Sequence, residues 1–526
     1  APFLERLIRH PTLSRIGWGL LFGLAYSQQP LFTSNQNQYF LHGMARAGYG
    51  FLKSDWLANT LDPTPLFSLL VEGVTRFGDV RAFYLIYLIL MALYFVALEA
   101  IAAQTFPRLR SDRRAWFLFL AAFFILHSAG LRFTLGRVVG NDWAYLIDAG
   151  VAGQRLLGPV LQPSSFGILL LVSIERYLAR RPAQAIVAAV AAASIHPTYL
   201  LSAALLSVIY AGLDLQETRR FAPAFQLGLL ALVLVAPILS YVSANFGYPA
   251  SDVQALMVDF RIPEHAQPRI WFDATTLIKI GWLAAAFWLA RGRKLRSILA
   301  AGGLFAILAT ILQTILDHDG LALLFPWRIS TLLIPLSSAL LCAWAALRLA
   351  QPQAGSGEGP PAISKFLPGP IVARLEWLAL AAVVLSVASG LVRFSLTWQA
   401  RRSDPQAALY SWVWAQKQST DLYLTPPSMQ DFRLETGAPV LADFKSIPYA
   451  NNEFREWYQR VRYLHWFYRD DVRFIDCEQL NTLAERYAIS HVVLGPKQIE
   501  LQCPLLEEVY STKGYEIHRL LGESER

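Results

Sequence analysis

The sequence predicts a polytopic α-helical membrane protein of about eleven transmembrane helices, followed by a small extracytoplasmic α/β domain at the C-terminus. Of its 526 residues, 55% are AVILMFWYC and only 16% are DEKR. Soluble domains are about 45–50% apolar with glycine included, and about 25% charged. Together with a mean hydropathy of +0.36, this composition excludes an ordinary soluble enzyme.

Eleven apolar runs are the candidate spans, although several are shorter than the roughly 20 residues that cross a bilayer. The region 183–213 contains either two short helices broken at His196-Pro197 or one long kinked helix. The runs lie at 13–27, 82–105, 115–131, 164–179, 183–195, 198–213, 224–243, 274–290, 297–316, 329–349 and 375–394.

The distribution of arginine favours two short helices in that region. If the first span leads outward, every segment on the cytoplasmic side is basic, as the positive-inside rule requires. One long helix would instead place the last three basic segments outside. This interpretation puts the N-terminus inside and the C-terminal domain outside a bacterial cytoplasmic (inner) membrane. The cytoplasmic segments are then 1–12, 106–114, 175–182, 214–223, 291–296 and 350–374.

The net charge of +8 belongs to the membrane part of the chain. Residues 396–526 hold 15 Lys and Arg against 18 Asp and Glu, which leaves 31 basic and 20 acidic residues for 1–395. Basic loops between spans explain this excess, so we assign no nucleic-acid partner.

We therefore predict two domains, a membrane domain at 1–395 and an α/β domain at 396–526. The membrane domain includes a long outer loop at 28–80 and, before its last span, a flexible inner linker at 351–372, where Gly, Pro and Ser are frequent. In the α/β domain we predict short buried strands at 438–442 and 491–494 and helices at 453–468 and 478–487. Cys477 and Cys503 form either a disulfide or two free thiols.

Three features of the outer loop indicate a functional surface. Tyr39–Ala47 has the spacing of an amphipathic interfacial helix, and Asp55-Trp56 could place a carboxylate beside an aromatic ring at the membrane surface. The turn Asp62-Pro63-Thr64-Pro65 should lead into a helix that runs toward the second span.

These features, with the span count and the outer C-terminal domain, resemble the GT-C superfamily of membrane glycosyltransferases. The resemblance implies a GT-C-like fold and transfer of a sugar from a polyprenyl-phosphate donor. GT-C enzymes usually carry Asp or Glu soon after the first span, where this sequence has Asn35-Gln36-Asn37-Gln38. Amides cannot act as general bases, so Asp55, or failing that Asp62, would have to take over. The alternative is a catalytically inactive GT-C-like scaffold or a lipid-binding subunit of a larger membrane complex.

A donor phosphate would need cations near the outer surface. We predict Asp55 as the catalytic base, with the phosphate bound by Arg261, His265, Arg328 and His196. For Arg328 the alternative role is an interfacial anchor, and for His196 it is a partner of carbonyls freed by the Pro break.

Weaker candidates complete the predicted outer face. They are Arg132 and Arg137 after the third span, and Arg433, Lys445 and Trp457-Tyr458 facing the membrane cleft. Asp317-His318-Asp319 has metal-ligand residue types but poor spacing for convergence, so we assign no metal ligand there and leave a divalent metal open as a cofactor. The expected partners are a lipid-linked sugar donor and membrane lipids.

Overall fold

The computed structural model describes residues 11–350, 369–469, 477–496, 498 and 503–521. Most of the predicted linker, 351–368, lies outside the described residues. So do 1–10 and 522–526, the two chain ends whose sides of the membrane the arginine distribution predicts.

Each of the eleven apolar runs coincides with a helix, except that the third run is divided between two. The bounds are Pro11–Tyr26, Ala82–Thr105, Arg113–His127 with Ala129–Val138, Ile168–Leu178, Pro182–Ile195, Leu200–Thr218, Phe221–Asn245, Ala274–Leu289, Arg293–Leu316, Ser330–Ala350 and Gly369–Ser403. The sequence therefore predicted the helical framework of this domain.

Within the described ranges, six helices are long and apolar enough to cross a membrane, or seven if Arg113–His127 and Ala129–Val138, bent by 45°, form one span. The protein is thus a multi-pass membrane protein. Pro182–Ile195 has 14 residues, which at 1.5 Å per residue is about 21 Å and less than a typical hydrocarbon core. Short helices of this kind explain why fewer helices than the predicted eleven pass the length test.

The break at His196-Pro197 confirms two helices in the region 183–213. One helix ends at Ile195, Pro197–Tyr199 forms a 3₁₀ turn, and the next helix begins at Leu200. A proline has no backbone N–H and cannot continue an α-helix without losing a hydrogen bond. The Tyr199 hydroxyl holds the turn by donating to the Ser164 carbonyl at 2.8 Å.

The outer loop is folded into the protein. Pro65 is the first residue of a helix that ends at Phe77, as the turn motif predicted. The predicted interfacial helix Tyr39–Ala47 is instead divided into Gln36–Tyr39 and Leu41–Ala47. Leu41–Ala45 is buried against the Pro65 helix, so this segment belongs to the core and not to the membrane interface.

Short helical pieces complete the membrane domain and its connections. They are Leu52–Ser54, Leu57–Asn59, Arg108–Ser111, Asn141–Ala144, Pro163–Gly167, Ser251–Ala255, Leu256–Arg261, Pro263–Ala266, Pro268–Trp271, Asp319–Ala322 and Pro326–Ile329.

The C-terminal part is a small mixed α/β domain, as predicted. Its four strands are β1 (Tyr423–Leu424), β2 (His491–Leu494), β3 (Leu506–Thr512) and β4 (Tyr515–Leu520), in the order β1-β2-β4-β3. β1 pairs parallel to β2, and the other pairs are antiparallel. The helices are Pro405–Gln416, Phe432–Thr436, Asn451–Phe467 and Cys477–Tyr487, and the last membrane helix continues to Ser403, past the predicted boundary at 395/396.

One predicted strand, 438–442, does not form. The segment is buried, but it contributes only a single bridge between Val440 and Tyr423. Pro439 has no N–H to donate, and the Val440 N–H donates to Asp55 on the outer loop at 3.1 Å. The segment therefore pairs with β1 only around Tyr423, where the Leu441 N–H donates to the Tyr423 carbonyl at 3.0 Å.

Of the two alternatives for the cysteines, the structure has the disulfide. Cys477 and Cys503 are bonded, with their Cα atoms 5.9 Å apart. The bond connects the start of the helix Cys477–Tyr487 to the chain just before β3, so it ties the helix to the edge of the sheet.

The outer loop and the C-terminal domain touch through two glycines, which generates a prediction. The Phe51 N–H donates to the Gly437 carbonyl at 2.8 Å, and a Cβ on Gly50 would lie 2.3 Å from that oxygen. Gly50→Ala should lower the thermal unfolding midpoint well beyond the effect of Gly48→Ala. Gly48 also has a positive φ, but a Cβ there would meet nothing within 4 Å, so it controls for backbone strain. Equal midpoints would mean that this close approach does not stabilise the protein.

Candidate functional site

Asp55, the predicted base, is fully buried between the outer loop and the C-terminal domain. Its Oδ2 accepts hydrogen bonds from Arg433 Nε at 2.7 Å and from the Val440 N–H, while its Oδ1 accepts from the Leu57 N–H at 2.9 Å. Both carboxylate oxygens therefore have donors in this arrangement. The catalytic role stays a prediction, and the contacts give Asp55 a role in joining the domains.

Arg433 completes a buried ion triad, Asp55–Arg433–Asp443. Its Nη1 donates to Asp443, whose other oxygen accepts from the Ser446 N–H at 2.6 Å. Burial raises the pKa of Asp443, and the charge of Arg433 opposes that rise. The triad holds the outer loop against the segment that follows the helix Phe432–Thr436, so Arg433 lies inside the domain junction rather than facing an open cleft.

Four basic side chains lie near this triad, two of them four residues apart in the connection 256–266. We call Arg261, His265, Arg328 and Lys445 the cationic cluster. Arg261 Nη2 donates to the Lys445 carbonyl at 2.7 Å. His265 and Arg328 line one small cavity, and the charges of Arg328 and Lys445 both act on His265. The structure thus brings together three of the predicted phosphate-binding residues and adds Lys445 from the C-terminal domain.

The electrostatics of the cationic cluster favour an anion. Burial lowers the pKa of Lys445, and the neighbouring charge of Arg261 lowers it further. Burial also lowers the pKa of His265, with Arg328 and Lys445 acting in the same direction. The Ala152 carbonyl, 2.7 Å from its Nδ1, and the carboxylate of Glu264, 3.9 Å from its Nε2, oppose that fall. A bound anion would relieve this repulsion and stabilise the protonated forms.

Two arginines of the cluster keep unused donors. Arg328 Nη1 donates to Gln154, and its guanidinium lies 4.7 Å from the centre of the Tyr199 ring, but its buried Nε has no partner among the described residues. The Nε of Arg261 is likewise buried and unpaired within that part of the chain. A buried donor without a hydrogen bond costs about 1–3 kcal/mol, so an oxygen-rich ligand or water should occupy these positions.

His196 lies beside the cluster, where it packs against Tyr199. It is buried, its ring centre is 5.5 Å from that of Tyr199 and 5.7 Å from that of Tyr39, and its Nδ1 lacks a partner in the described ranges.

A third tyrosine, Tyr449, also lies near the cluster. Burial and Tyr39 raise the pKa of Tyr449, whereas the charges of Arg261 and Arg328 oppose the rise. These tyrosines surround the cationic cluster.

The position of these tyrosines beside the cluster was not predicted from the sequence. Tyr39 follows the amide run directly and Tyr449 follows a proline, Pro448, but neither pattern separates a site tyrosine from an interfacial one.

Within the amide run Asn35–Gln38, the side chains of Gln36 and Gln38 make hydrogen bonds that stabilise the fold, whereas that of Asn37 is unpaired. Gln36 donates to the Leu161 carbonyl at 3.1 Å and accepts from the Phe32 N–H at 2.8 Å. Gln38 donates to the Ile447 carbonyl at 2.8 Å and accepts from the N–H of the same residue. Asn37 is 1% exposed, and neither of its amide atoms has a partner in the described structure.

The space within the cationic cluster is small. The cavity between His265, Gln154 and Arg328 has a volume of about 10 Å³, close to the minimum for a single water molecule. A sugar phosphate would therefore need the surrounding segments to separate.

The weaker candidates have other neighbours. Arg132 and Arg137 line a cavity of about 260 Å³ away from the cluster, where Arg132 lies 3.6 Å from the centre of the Tyr26 ring. Trp457 is buried and donates to the Asp443 carbonyl at 3.0 Å. The Tyr458 ring contacts Phe260, with centres 5.2 Å apart.

A metal site does not emerge from the described residues. They contain no group of three His, Cys, Asp or Glu side chains placed to hold an ion. His318 accepts through Nδ1 from the Gly320 N–H and caps the helix Asp319–Ala322, so this motif forms a turn.

The triad generates a stability prediction. Arg433→Gln leaves two buried carboxylates without their cation, and breaking a buried ion pair in this way costs about 3–5 kcal/mol. Arg401→Gln is the matched control, because Arg401 also contacts two carboxylates, Asp431 and Glu435, but in a partly exposed position. Thermal unfolding in detergent should show a much larger fall in midpoint for Arg433→Gln. A fall no larger than that of Arg401→Gln would contradict the importance of the triad.

Comparisons with known proteins give a short local match and a distant structural one. Residues 405–464 match a family described as Domain of unknown function (DUF6798), and no curated protein matches the chain. Among solved structures, the crystal structure of ArnT from Cupriavidus metallidurans bound to undecaprenyl phosphate is similar, with 13% identity and a TM-score of 0.49. That match covers 97% of this chain and 98% of ArnT. A likeness at this level carries no argument about chemistry.

Proposed function

We propose that the protein is a GT-C-type membrane glycosyltransferase that moves a sugar from a polyprenyl-phosphate donor to an acceptor. The reaction takes place at the outer face of a bacterial cytoplasmic membrane, with the C-terminal domain outside. The observation that carries the proposal is the cationic cluster, whose unpaired donors lie between the membrane helices and the C-terminal domain. The resemblance of the outer loop to GT-C enzymes supplies the reaction class.

In this proposal the cluster binds the phosphate of the donor. Arg261 and Arg328 present their free Nε–H groups, His265 and His196 donate from either side, and Lys445 adds a charge from the C-terminal domain. Charge-assisted bonds of this kind stabilise a departing phosphate as negative charge develops on it.

An inverting transfer also needs a base. The acceptor hydroxyl attacks the anomeric carbon, the bond from that carbon to the phosphate oxygen breaks, and the base takes the hydroxyl proton. Asp55 performs this step once a movement of the C-terminal domain withdraws Arg433 or the Val440 N–H from its Oδ2. Asn37, which is buried and unpaired, donates a hydrogen bond to a sugar hydroxyl or accepts one from it.

The alternative is a GT-C-like scaffold or lipid-binding subunit that holds the lipid phosphate without transferring a sugar. The specific observation in its favour is that both oxygens of Asp55 are engaged, while Gln36 and Gln38 make structural hydrogen bonds. Both proposals require phosphate binding at the cationic cluster, and they differ in turnover.

Phosphate binding is tested with undecaprenyl phosphate as the probe. Arg328→Gln removes a donor and a charge, and a hydrogen bond to a charged group contributes about 1.5–3 kcal/mol. The affinity measured by titration in detergent should fall about 10- to 100-fold. The control is Arg462→Gln, which removes an exposed arginine from the C-terminal domain and should leave the affinity unchanged. Equal affinities for both variants would contradict binding at the cluster.

The base assignment is tested by comparing Asp55→Asn with Asp443→Asn. Each variant removes one carboxylate charge from Arg433, so their stabilities should be similar. In cell membranes, where the native donors and acceptors are present, Asp55→Asn should lower sugar transfer per folded protein about 10²- to 10⁴-fold, and Asp443→Asn should retain it. If transfer falls equally in both variants, Asp55 is a structural residue. If the wild type binds undecaprenyl phosphate but transfers no sugar, the scaffold alternative is correct.

A further inference from the structure

A second cavity, of about 820 Å³, lies at the end of the helical bundle away from the C-terminal domain. It is bounded by the ends of the helices Ala82–Thr105, Ile168–Leu178 and Leu200–Thr218 and by the beginning of Arg293–Leu316. The other end of that last helix packs against Asp319–Ala322, which contacts the segment beside the C-terminal domain. The cavity is therefore a helix length away from the cationic cluster and is distinct from it.

The cavity is strongly basic. Arg180, Arg291, Arg293 and Lys294 line it together with a single carboxylate, Glu217. Lys294 Nζ lies 2.7 Å from Glu217 and so neutralises it.

The remaining arginines are available to a ligand. Arg293 donates to the neutral Gln216 side chain at 2.7 Å and makes no direct ion pair among the described residues, although its charge and that of Arg180 act on Glu217. Arg180 and Arg291 are exposed and have no ion-pair partner among the described residues. Three arginines thus surround a cavity whose only acid is already paired, which is the electrostatic pattern of an anion site.

The floor of the cavity is apolar. Leu178, Leu213 and Leu295 line it, and Leu213 and Leu295 are buried in the core. On the neighbouring helix, three positions before Arg291, Trp288 is 76% exposed. An exposed tryptophan beside arginines is typical of the level of lipid headgroups. The apolar side chains that stay accessible here are Leu178 and Trp288. A soluble phosphate would gain nothing from them, whereas acyl chains would cover them.

We propose that this cavity binds the phosphate headgroup of an anionic phospholipid. Arg180 and Arg291 form the charged rim, Arg293 reaches the same phosphate, and the acyl chains lie over the leucine floor and along the lipid-facing helices. Guanidinium groups suit this task because they bind phosphate oxygens in pairs. Basic pockets between membrane helices are recognised sites for anionic lipid headgroups. The inference is independent of the proposed transferase activity.

Native mass spectrometry with phosphatidylglycerol, against phosphatidylcholine as the neutral reference, tests the proposal. The wild type should bind phosphatidylglycerol preferentially. Arg180→Gln/Arg291→Gln should weaken this binding at least about tenfold, since each arginine near a charged lipid surface contributes about 1 kcal/mol. The matched control is Arg219→Gln/Arg220→Gln, which removes two exposed charges from the same end of the bundle but outside the cavity. Arg219 has a positive φ of 58°, close to the 62° of Arg180, so backbone strain is matched.

Three outcomes overturn the proposal. The first is equal binding of the two lipids by the wild type, and the second is equal loss in both double variants. The third is displacement of phosphatidylglycerol by millimolar inorganic phosphate or glycerol phosphate, which would identify a site for soluble phosphates. The thermal unfolding midpoint of each double variant is the control for folding. If both midpoints lie within a few degrees of the wild type, a loss of binding is not caused by unfolding.

Discussion

The buried guanidinium of Arg433, held between Asp55 and Asp443, is the interaction on which the arrangement of the two domains depends. A buried charge costs several kcal/mol unless it is paired and hydrogen-bonded, so the outer loop and the C-terminal domain must be folded together for it to be satisfied. The position of Lys445 follows, because it lies two residues beyond Asp443, and the Lys445 carbonyl in turn orients Arg261. The cationic cluster therefore depends on a correctly closed domain junction.

This dependence couples the candidate base to the candidate phosphate clamp. Arg328 and His196 belong to the membrane domain, whereas Lys445 and Tyr449 belong to the C-terminal domain. The 10 Å³ cavity itself is lined by membrane-domain residues alone. A displacement of the C-terminal domain that moves Lys445 away from Arg261 would also take Arg433 and the Val440 N–H from Asp55. Opening of the junction at Arg261 and release of a carboxylate lone pair would thus be one movement, which suits a base that stays inactive until a donor enters.

The sequence predicted what depends on local patterns. Long apolar runs located the helices, and a proline after His196 located the break. Interactions between distant segments were not predictable: Asp55 beside Trp56 indicated the membrane surface, but its partner Arg433 lies 378 positions away. The hairpin between β3 and β4 turns at Lys513-Gly514. This turn was not predicted, because the strands on either side of it are polar. The arginines and histidines of the site were predicted from the sequence because such residues are unusual at the outer end of a span. A tyrosine is common at that level and therefore gives no signal.

The amide run Asn35–Gln38 is also explained by distant contacts. Gln38 donates to and accepts from the backbone of Ile447, and Gln36 likewise combines a donor with an acceptor. An ionised carboxylate offers only acceptors, so Asp or Glu at either place would leave a buried carbonyl unpaired. The absence of an acid follows from the closed junction at Gln38 and from contacts within the membrane domain at Gln36, and it is not by itself an argument against catalysis. Asn37 is free of that constraint, so in the proposed reaction it and Asp55 are the two polar side chains of the outer loop assigned to the substrate.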